Sequence, residues 1–493
     1  MVIKYESTRS KTTVSSSKAI LKGISDEGGL FVPQSIPNID ISTITDMSYT
    51  KLCYHILSKF LSDFNKNNLM EIVTKSYDNK FNTNDVTPVV KINNNYFLEL
   101  FHGPTLAFKD VALSILPHLL IESSNIQNVM DEIVILTATS GDTGKAALEG
   151  FTNVNKTKII VFYPSEGVSE IQKKQMISQE GNNVYVIGIN GNFDDAQNGV
   201  KEIFNDKVFK EQLKNNNIVL SSANSINIGR LLPQIVYYFS SYIQLINNNT
   251  IKLHDKVNFT VPTGNFGNIL AGYYAKEMGL PINKLICASN TNNVLYDFFK
   301  TGTYNKNRDF IKTMSPSMDI LISSNFERLL YHMSNGDKNL INNLMNQLIS
   351  KGSYNISKEI KENIDKLFYG SFCDEKETSS TIKEVYNKYN YVIDTHTAVA
   401  YKACKDYLKE TNDITPNIIL STASPFKFTK SVYESIFGSI ELDEYSLINE
   451  LSQNCAIEIP ENIKTLKGSK ILHKDIINKN KMKSYIENIL SQD

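Results

Sequence analysis

An α/β architecture of mostly parallel, open sheets flanked by helices is what this 493-residue chain encodes. Short aliphatic and β-branched runs alternate with helical patterns through the chain, at residues 133–136, 158–163, 184–189, 257–261 and 417–420. Strands alternating with helices build parallel sheets with helices on both faces. In addition, two of these runs end in glycine-bearing turns that open a helix, at residues 137–144 and 262–268. In open α/β sheets ligands bind beside such turns, at the carboxyl ends of the strands.

The length allows two or three domains. We divide the chain into an N-terminal region at 1–98, a lysine-bearing α/β region at 99–255, and a third α/β region at 256–493 with a mainly helical insertion near 300–390. Hydrophobic residues at 41% and charged residues at 21% are those of an ordinary globular protein. A formal net charge of −1 gives no electrostatic case for nucleic acid or an anionic membrane, so any anion site must be local. No run approaches the roughly 20 apolar residues of a spanning helix, and residues 1–6 lack the apolar core of a signal peptide. The five cysteines, Cys53, Cys287, Cys373, Cys404 and Cys455, show no metal-ligand spacing. Free thiols, a cytoplasmic location and no metal are the expectation, with a monomer or homodimer as the assembly.

Region 1–98 has a turn-rich passage at 21–33 and a helix at about 50–62, with no residue pattern that carries chemistry. Region 99–255 opens on His102-Gly103-Pro104-Thr105-Leu106-Ala107-Phe108-Lys109-Asp110. Thr105 as N-cap would place Lys109 in the first turn of an apolar helix. An apolar setting and the positive end of the helix dipole both disfavour the ammonium form, and a deprotonated lysine can attack a carbonyl. Read alone, such a lysine is more simply a side chain that keeps its head in water.

The strand at 133–136 runs into Thr139-Ser140-Gly141-Asp142-Thr143-Gly144-Lys145-Ala146. This is not a nucleotide P-loop, because Thr139 stands where glycine is needed and Ala146 where Ser or Thr is needed. Its hydroxyls and amides suit a carboxylate, although plain helix capping explains them equally well. A strand at 158–163, a helix at 169–179, a strand at 184–189 and a helix from 194 follow. Residues 221–230 then lead into an apolar, Tyr-rich helix.

After the strand at 257–261 comes Gly264-Asn265-Phe266-Gly267-Asn268 and a helix at 269–278. Here free first-turn amides and the helix dipole offer a phosphate cradle without a lysine, the alternative being an ordinary tight turn into a helix. The late strand at 417–420 ends in a small hydroxyl turn with Thr422. No GxGxxG, HExxH or GxSxG motif is present. A reactive lysine and a phosphate cradle together are what pyridoxal phosphate requires.

In this order and at this length, the motifs resemble those of the threonine synthase family, relatives of cysteine synthase, the tryptophan synthase β chain and the serine/threonine dehydratases. The resemblance runs from residues 28–33 through 102–110, 137–144, 222–230 and 262–268 to 421–428. It implies a fold type II pyridoxal-phosphate enzyme with an N-terminal extension. It further implies Lys109 as the Schiff-base residue, residues Gly264, Asn265, Phe266, Gly267 and Asn268 on the cofactor phosphate, and Thr422 on the pyridine nitrogen. Ser140, Gly141 and Thr143 would take the substrate carboxylate. The implied reaction turns O-phospho-L-homoserine and water into L-threonine and phosphate; another lyase of the same cofactor, acting on a different phosphorylated or hydroxylated amino acid, is the alternative. The substrate phosphate needs its own site, for which Asn224, Ser225, Asn227, Arg230 and Lys427 are candidates. An ion-pair role explains Arg230 equally well. Asp142 stands where cysteine synthase-like relatives have asparagine, and Ser424 where many relatives have histidine.

Overall fold

The computed structural model describes residues 2–139, 141–165 and 168–491. Two sheets carry the site. The first has five parallel strands in the order Ile476–Asn478, Val184–Asn190, Thr157–Pro164, Glu132–Ala138 and Ile218–Ser221. In the second, six strands run in the order Phe368–Phe372, Ile282–Ser289, Val257–Pro262, Asn417–Ser421, Asn95–Glu99 and Val89–Ile92. Only the edge pair Val89–Ile92 and Asn95–Glu99 is antiparallel, closed by a tight hairpin. A small antiparallel sheet of Tyr5–Ser7, Thr13–Val14 and Phe31–Pro33 belongs to the N-terminal region.

Side chains alternate across each strand, and here both faces are apolar because both are covered. Ile133, Ile135, Ile159 and Val161 enter the large central core, while Val134, Leu136, Ile160 and Phe162 enter a second core with Ile187, Ala196 and Ile486. The other sheet divides in the same way. Phe259, Val261, Leu285 and Leu420 face the central core, while Phe97, Ile286 and Ile419 face a core built on the helix Thr395–Thr411. The helix Ile228–Asn247 lies within the central core and is buried along nearly its whole length, as expected for a helix apolar all round.

Strand pairing cuts across the divisions drawn from sequence. The hairpin at 89–99 joins the sheet of the third region, and Ile476–Asn478 returns to the sheet of the second. Ile282–Ser289 and Phe368–Phe372 were not foreseen as strands. Asn283 and Lys284 interrupt the first, and aromatic and small residues mix in the second, which lies inside the segment read as mainly helical. The insertion also contains a two-stranded antiparallel ladder, Thr303–Asn305 with Ser353–Asn355.

Candidate active site

The carboxyl ends of Glu132–Ala138, Val257–Pro262 and Asn417–Ser421 open on one cavity of about 180 Å3. Phe108, Lys109, Asp142, Thr143, Asn224, Ser225, Arg230, all of residues 264–268, Ser317, His396 and Thr422 are among its walls.

Lys109 is the first residue of a short helix, Lys109–Leu113. Its cap is Phe108, with no side-chain hydrogen bond, so Thr105 is not the N-cap. Instead the Thr105 N–H and hydroxyl both donate to the buried Asp110 carboxylate. Leu106 takes φ +61°, which turns the chain sharply ahead of the lysine. Phe108 N–H donates to the Thr422 carbonyl at 2.9 Å, and Ser424 N–H donates to the Leu106 carbonyl at 3.0 Å. These two bonds lock the lysine segment against the Thr422 turn. The Lys109 side chain is 11% exposed. Burial lowers its amine to about 8, with Arg230 and Lys427 pushing the same way and Asp142 opposing. Nζ donates to Ser317 Oγ at 3.2 Å and lies 3.7 Å from Asp142 Oδ2.

Asp142 opens the helix Asp142–Phe151 and is the electrostatic centre of the cavity. Its carboxylate pairs with Lys427 Nζ at 2.9 Å and accepts from Gln172 Nε2 at 2.9 Å and Ser317 Oγ at 3.1 Å. Burial alone would raise this carboxyl, but the Lys427 and Lys109 ammonium groups overcome it and hold it well below the usual range. Lys427 is fully buried and also donates to the Thr105 carbonyl at 2.7 Å. It is therefore committed to Asp142 and is not a free phosphate ligand, contrary to expectation.

Of the expected carboxylate loop, Thr143 lines the cavity, Gly141 is buried but not on the wall, and Ser140 lies outside the described residues. Gly141 is packed so closely that a Cβ would meet the Gln172 side chain at 2.6 Å.

The turn at 264–268 is shaped as a cradle. Phe266 takes φ +63° and caps the helix Gly267–Glu277. The first intrahelical bond at this cap joins Leu270 N–H to the Phe266 carbonyl, so the amides before it have no acceptor within the helix. Asn268 is buried, with Oδ1 accepting from Tyr237 at 2.6 Å and from Tyr238 at 3.0 Å. Its Nδ2 has no hydrogen-bond partner. A buried amide donor left free in this way is costly unless a ligand atom meets it.

Asn224, Ser225 and Arg230 also line the cavity. Arg230 is 4% exposed, donates from one terminal nitrogen to the Ala223 carbonyl at 2.8 Å, and has an unpartnered Nε. Its guanidinium thus fits an anion site better than a structural ion pair. Asn227 does not line the cavity. Its Oδ1 caps Gly229 N–H at 2.8 Å and its Nδ2 donates to the Ile20 carbonyl at 2.9 Å, so this side chain fastens a helix start to the N-terminal region.

Sequence reasoning missed Ser317, Asp319 and His396. The first two come from the insertion, whose turn Pro316–Met318 folds over the cavity. His396 comes from the start of the helix Thr395–Thr411, a histidine position distinct from Ser424. The Asp394-Thr395-His396 run ahead of an apolar helix was the available signal, although it reads locally as ordinary capping. Among the described residues no cluster suits a metal ion, and no helix is long and apolar enough to cross a membrane.

Residues 82–422 match the family model for pyridoxal-phosphate dependent enzymes, residues 4–77 that for the threonine synthase N terminus, and residues 397–477 that for the threonine synthase C-terminal region. The chain is 40% identical to human threonine synthase-like 1 over 434 residues, which is 85% of this chain but only 58% of that longer protein. It is 38% identical to the threonine synthase of Saccharomyces cerevisiae, covering 94% of this chain and 93% of that one. Its structure matches the pyridoxal-phosphate-bound threonine synthase from Brucella melitensis with a TM-score of 0.88 at 35% identity, over 99% of each chain. The central match spans the buried lysine and the glycine-turn cradle, matches of threonine synthase type flank it on both sides, and the chain belongs to the threonine synthase family of pyridoxal-phosphate-dependent enzymes.

Proposed function

We propose that the protein converts O-phospho-L-homoserine and water into L-threonine and phosphate. One observation carries this reading: a buried lysine of lowered basicity shares a cavity with two separate groups of unspent anion donors. The cradle at 264–268, with its free amides and the orphaned Asn268 Nδ2, fits the phosphate of pyridoxal phosphate, and Lys109 fits its aldehyde. Arg230, with Asn224 and Ser225, fits the second phosphate, that of the substrate. Two phosphate sites on one lysine-bearing cavity suit a phosphorylated amino acid better than free serine or threonine.

When bound, the cofactor supplies an electron sink for charge that develops at the substrate carbons. The protein supplies the rest. Lys109 Nζ holds the cofactor aldehyde in the resting state. As a free amine, Nζ would remove the proton from the substrate Cα and serve the later proton transfers at the neighbouring carbons. An amine near 8 suits both directions of transfer close to neutral pH. Thr143 lines the cavity and takes the substrate carboxylate, and Thr422 offers the ring nitrogen a neutral hydroxyl. Arg230 grips the γ-phosphate as it departs, and water then adds at Cβ. Five buried, unpaired cysteines support a reducing, cytoplasmic setting.

Incubating the cofactor-loaded protein with O-phospho-L-homoserine is expected to release L-threonine and phosphate in equal amounts. Phosphate without threonine would move the assignment to a different lyase, and neither product would refute it.

A further inference from the structure

Ser317 joins three segments that are far apart in the chain. Its Oγ accepts from Lys109 Nζ at 3.2 Å and donates to Asp142 Oδ2 at 3.1 Å. Its N–H donates to His396 Nε2 at 3.2 Å. Its carbonyl lies so close to the cradle that a Cβ on Gly264 would stand 2.7 Å from it.

The seat of this residue is built from several segments and is half-buried. Asp319 accepts from Thr313 N–H at 3.0 Å and from the Asn290 and Asn292 side chains at 2.7 and 3.1 Å. Met314 N–H donates to Glu375 at 2.8 Å. His396 is 2% exposed, and its Nδ1 faces Asp394 Oδ1 at 3.0 Å. Since Nε2 accepts from the Ser317 N–H, the ring proton belongs on Nδ1, donated to Asp394. Asp394 is itself fixed, because it caps its helix by accepting His396 N–H at 2.8 Å.

A serine needed only to shape a turn would use its backbone here. This one directs its hydroxyl between the reacting lysine and the ionised carboxylate of the cavity. Asp142 takes the hydroxyl proton, so the oxygen lone pairs face Lys109 and receive one of its N–H bonds. That fixes the rotation of the amine and directs its remaining positions toward the open cavity.

We propose that Ser317 is a catalytic residue of this site, its hydroxyl, held by Asp142, directly orienting Lys109 Nζ, while His396 and Asp394 act as positioning residues that hold the Ser317 turn. The inference rests on the reading of Lys109 as the group that bears the cofactor and moves protons. Among the described residues, the charged groups facing Lys109 are Asp142, Arg230 and Lys427, with the titratable His396 beside Asp142.

The test is the pH dependence of Lys109 arylation by trinitrobenzenesulfonate in the cofactor-free protein, read at the Lys109 peptide by mass spectrometry. The wild-type midpoint is expected near 8. Ser317→Ala removes an acceptor of the ammonium form and should lower that midpoint by about half a unit to one unit. Ser317→Thr keeps the hydroxyl and should keep the wild-type midpoint. His396→Leu should shift it in the same direction as Ser317→Ala, and the double variant should shift it no further. In the loaded enzyme, Ser317→Ala should lower kcat about tenfold or more while KM and the visible absorbance are kept. An unchanged midpoint in Ser317→Ala, an equal shift in Ser317→Thr, or additive shifts with His396→Leu would overturn the proposal. The titration needs no amino-acid substrate, so it stands or falls separately from the assignment of O-phospho-L-homoserine.

Discussion

Lys109→Ala removes both the visible band of the amine-bound cofactor and the turnover of the protein. The expected loss in rate is about 10⁴-fold or more, because one amine serves as tether and as proton carrier. No neighbour can take its place. Lys427 is the other buried lysine beside Asp142, but it is held by that carboxylate at 2.9 Å and by the Thr105 carbonyl at 2.7 Å. Arg230 stays protonated, and burial moves it only to about 10. The variant should fold, since alanine in place of a cavity-lining lysine leaves the three cores untouched. Absorbance spectra and product assays on the purified variant check this result. A retained band together with retained turnover would remove Lys109 from the mechanism.

Lys427→Met should destabilise the cofactor-free protein by about 3–5 kcal/mol, because it strands Asp142 in a dry site with a weaker set of partners. Asp142 is 3% exposed, and its lowered carboxyl depends on Lys427 before Lys109. The pH dependence follows from the direction of that shift. A carboxyl held low when folded contributes stability that is present above its unfolded value near 4 and is lost as pH falls below it. The Lys427→Met penalty should therefore be full at neutral pH and shrink in acid. Adding Asp142→Asn removes both charges and should recover part of the loss. Urea denaturation across pH measures these effects, and a penalty under about 1 kcal/mol at pH 7 would show that the pair is not a structural centre.

Much of the site was legible because its loops are local signals. The strands at 132–138 and 257–262 are continuous apolar runs, and each ends in a glycine turn whose helix start follows directly. The residues that were missed are set by distant pairing. Ser317 meets Lys109 across 208 positions, and nothing around Pro316 announces that its turn will close over a cradle elsewhere. Lys427 reads as a candidate for the substrate phosphate, yet it is fully buried and paired with Asp142. Asn227 stands off the cavity for the opposite reason: its side chain caps its own helix and holds the Ile20 carbonyl. Thr105 fits an N-cap pattern, but Asp110 takes its hydroxyl and the lysine helix starts four residues later.

Borohydride reduction of the cofactor-loaded protein, followed by peptide mapping, identifies the amine that bears the cofactor, because reduction fixes the cofactor to whichever amine holds it. The label is expected on Lys109 alone. A label on Lys427, Lys145 or any surface lysine, with Lys109 unmodified, would contradict it.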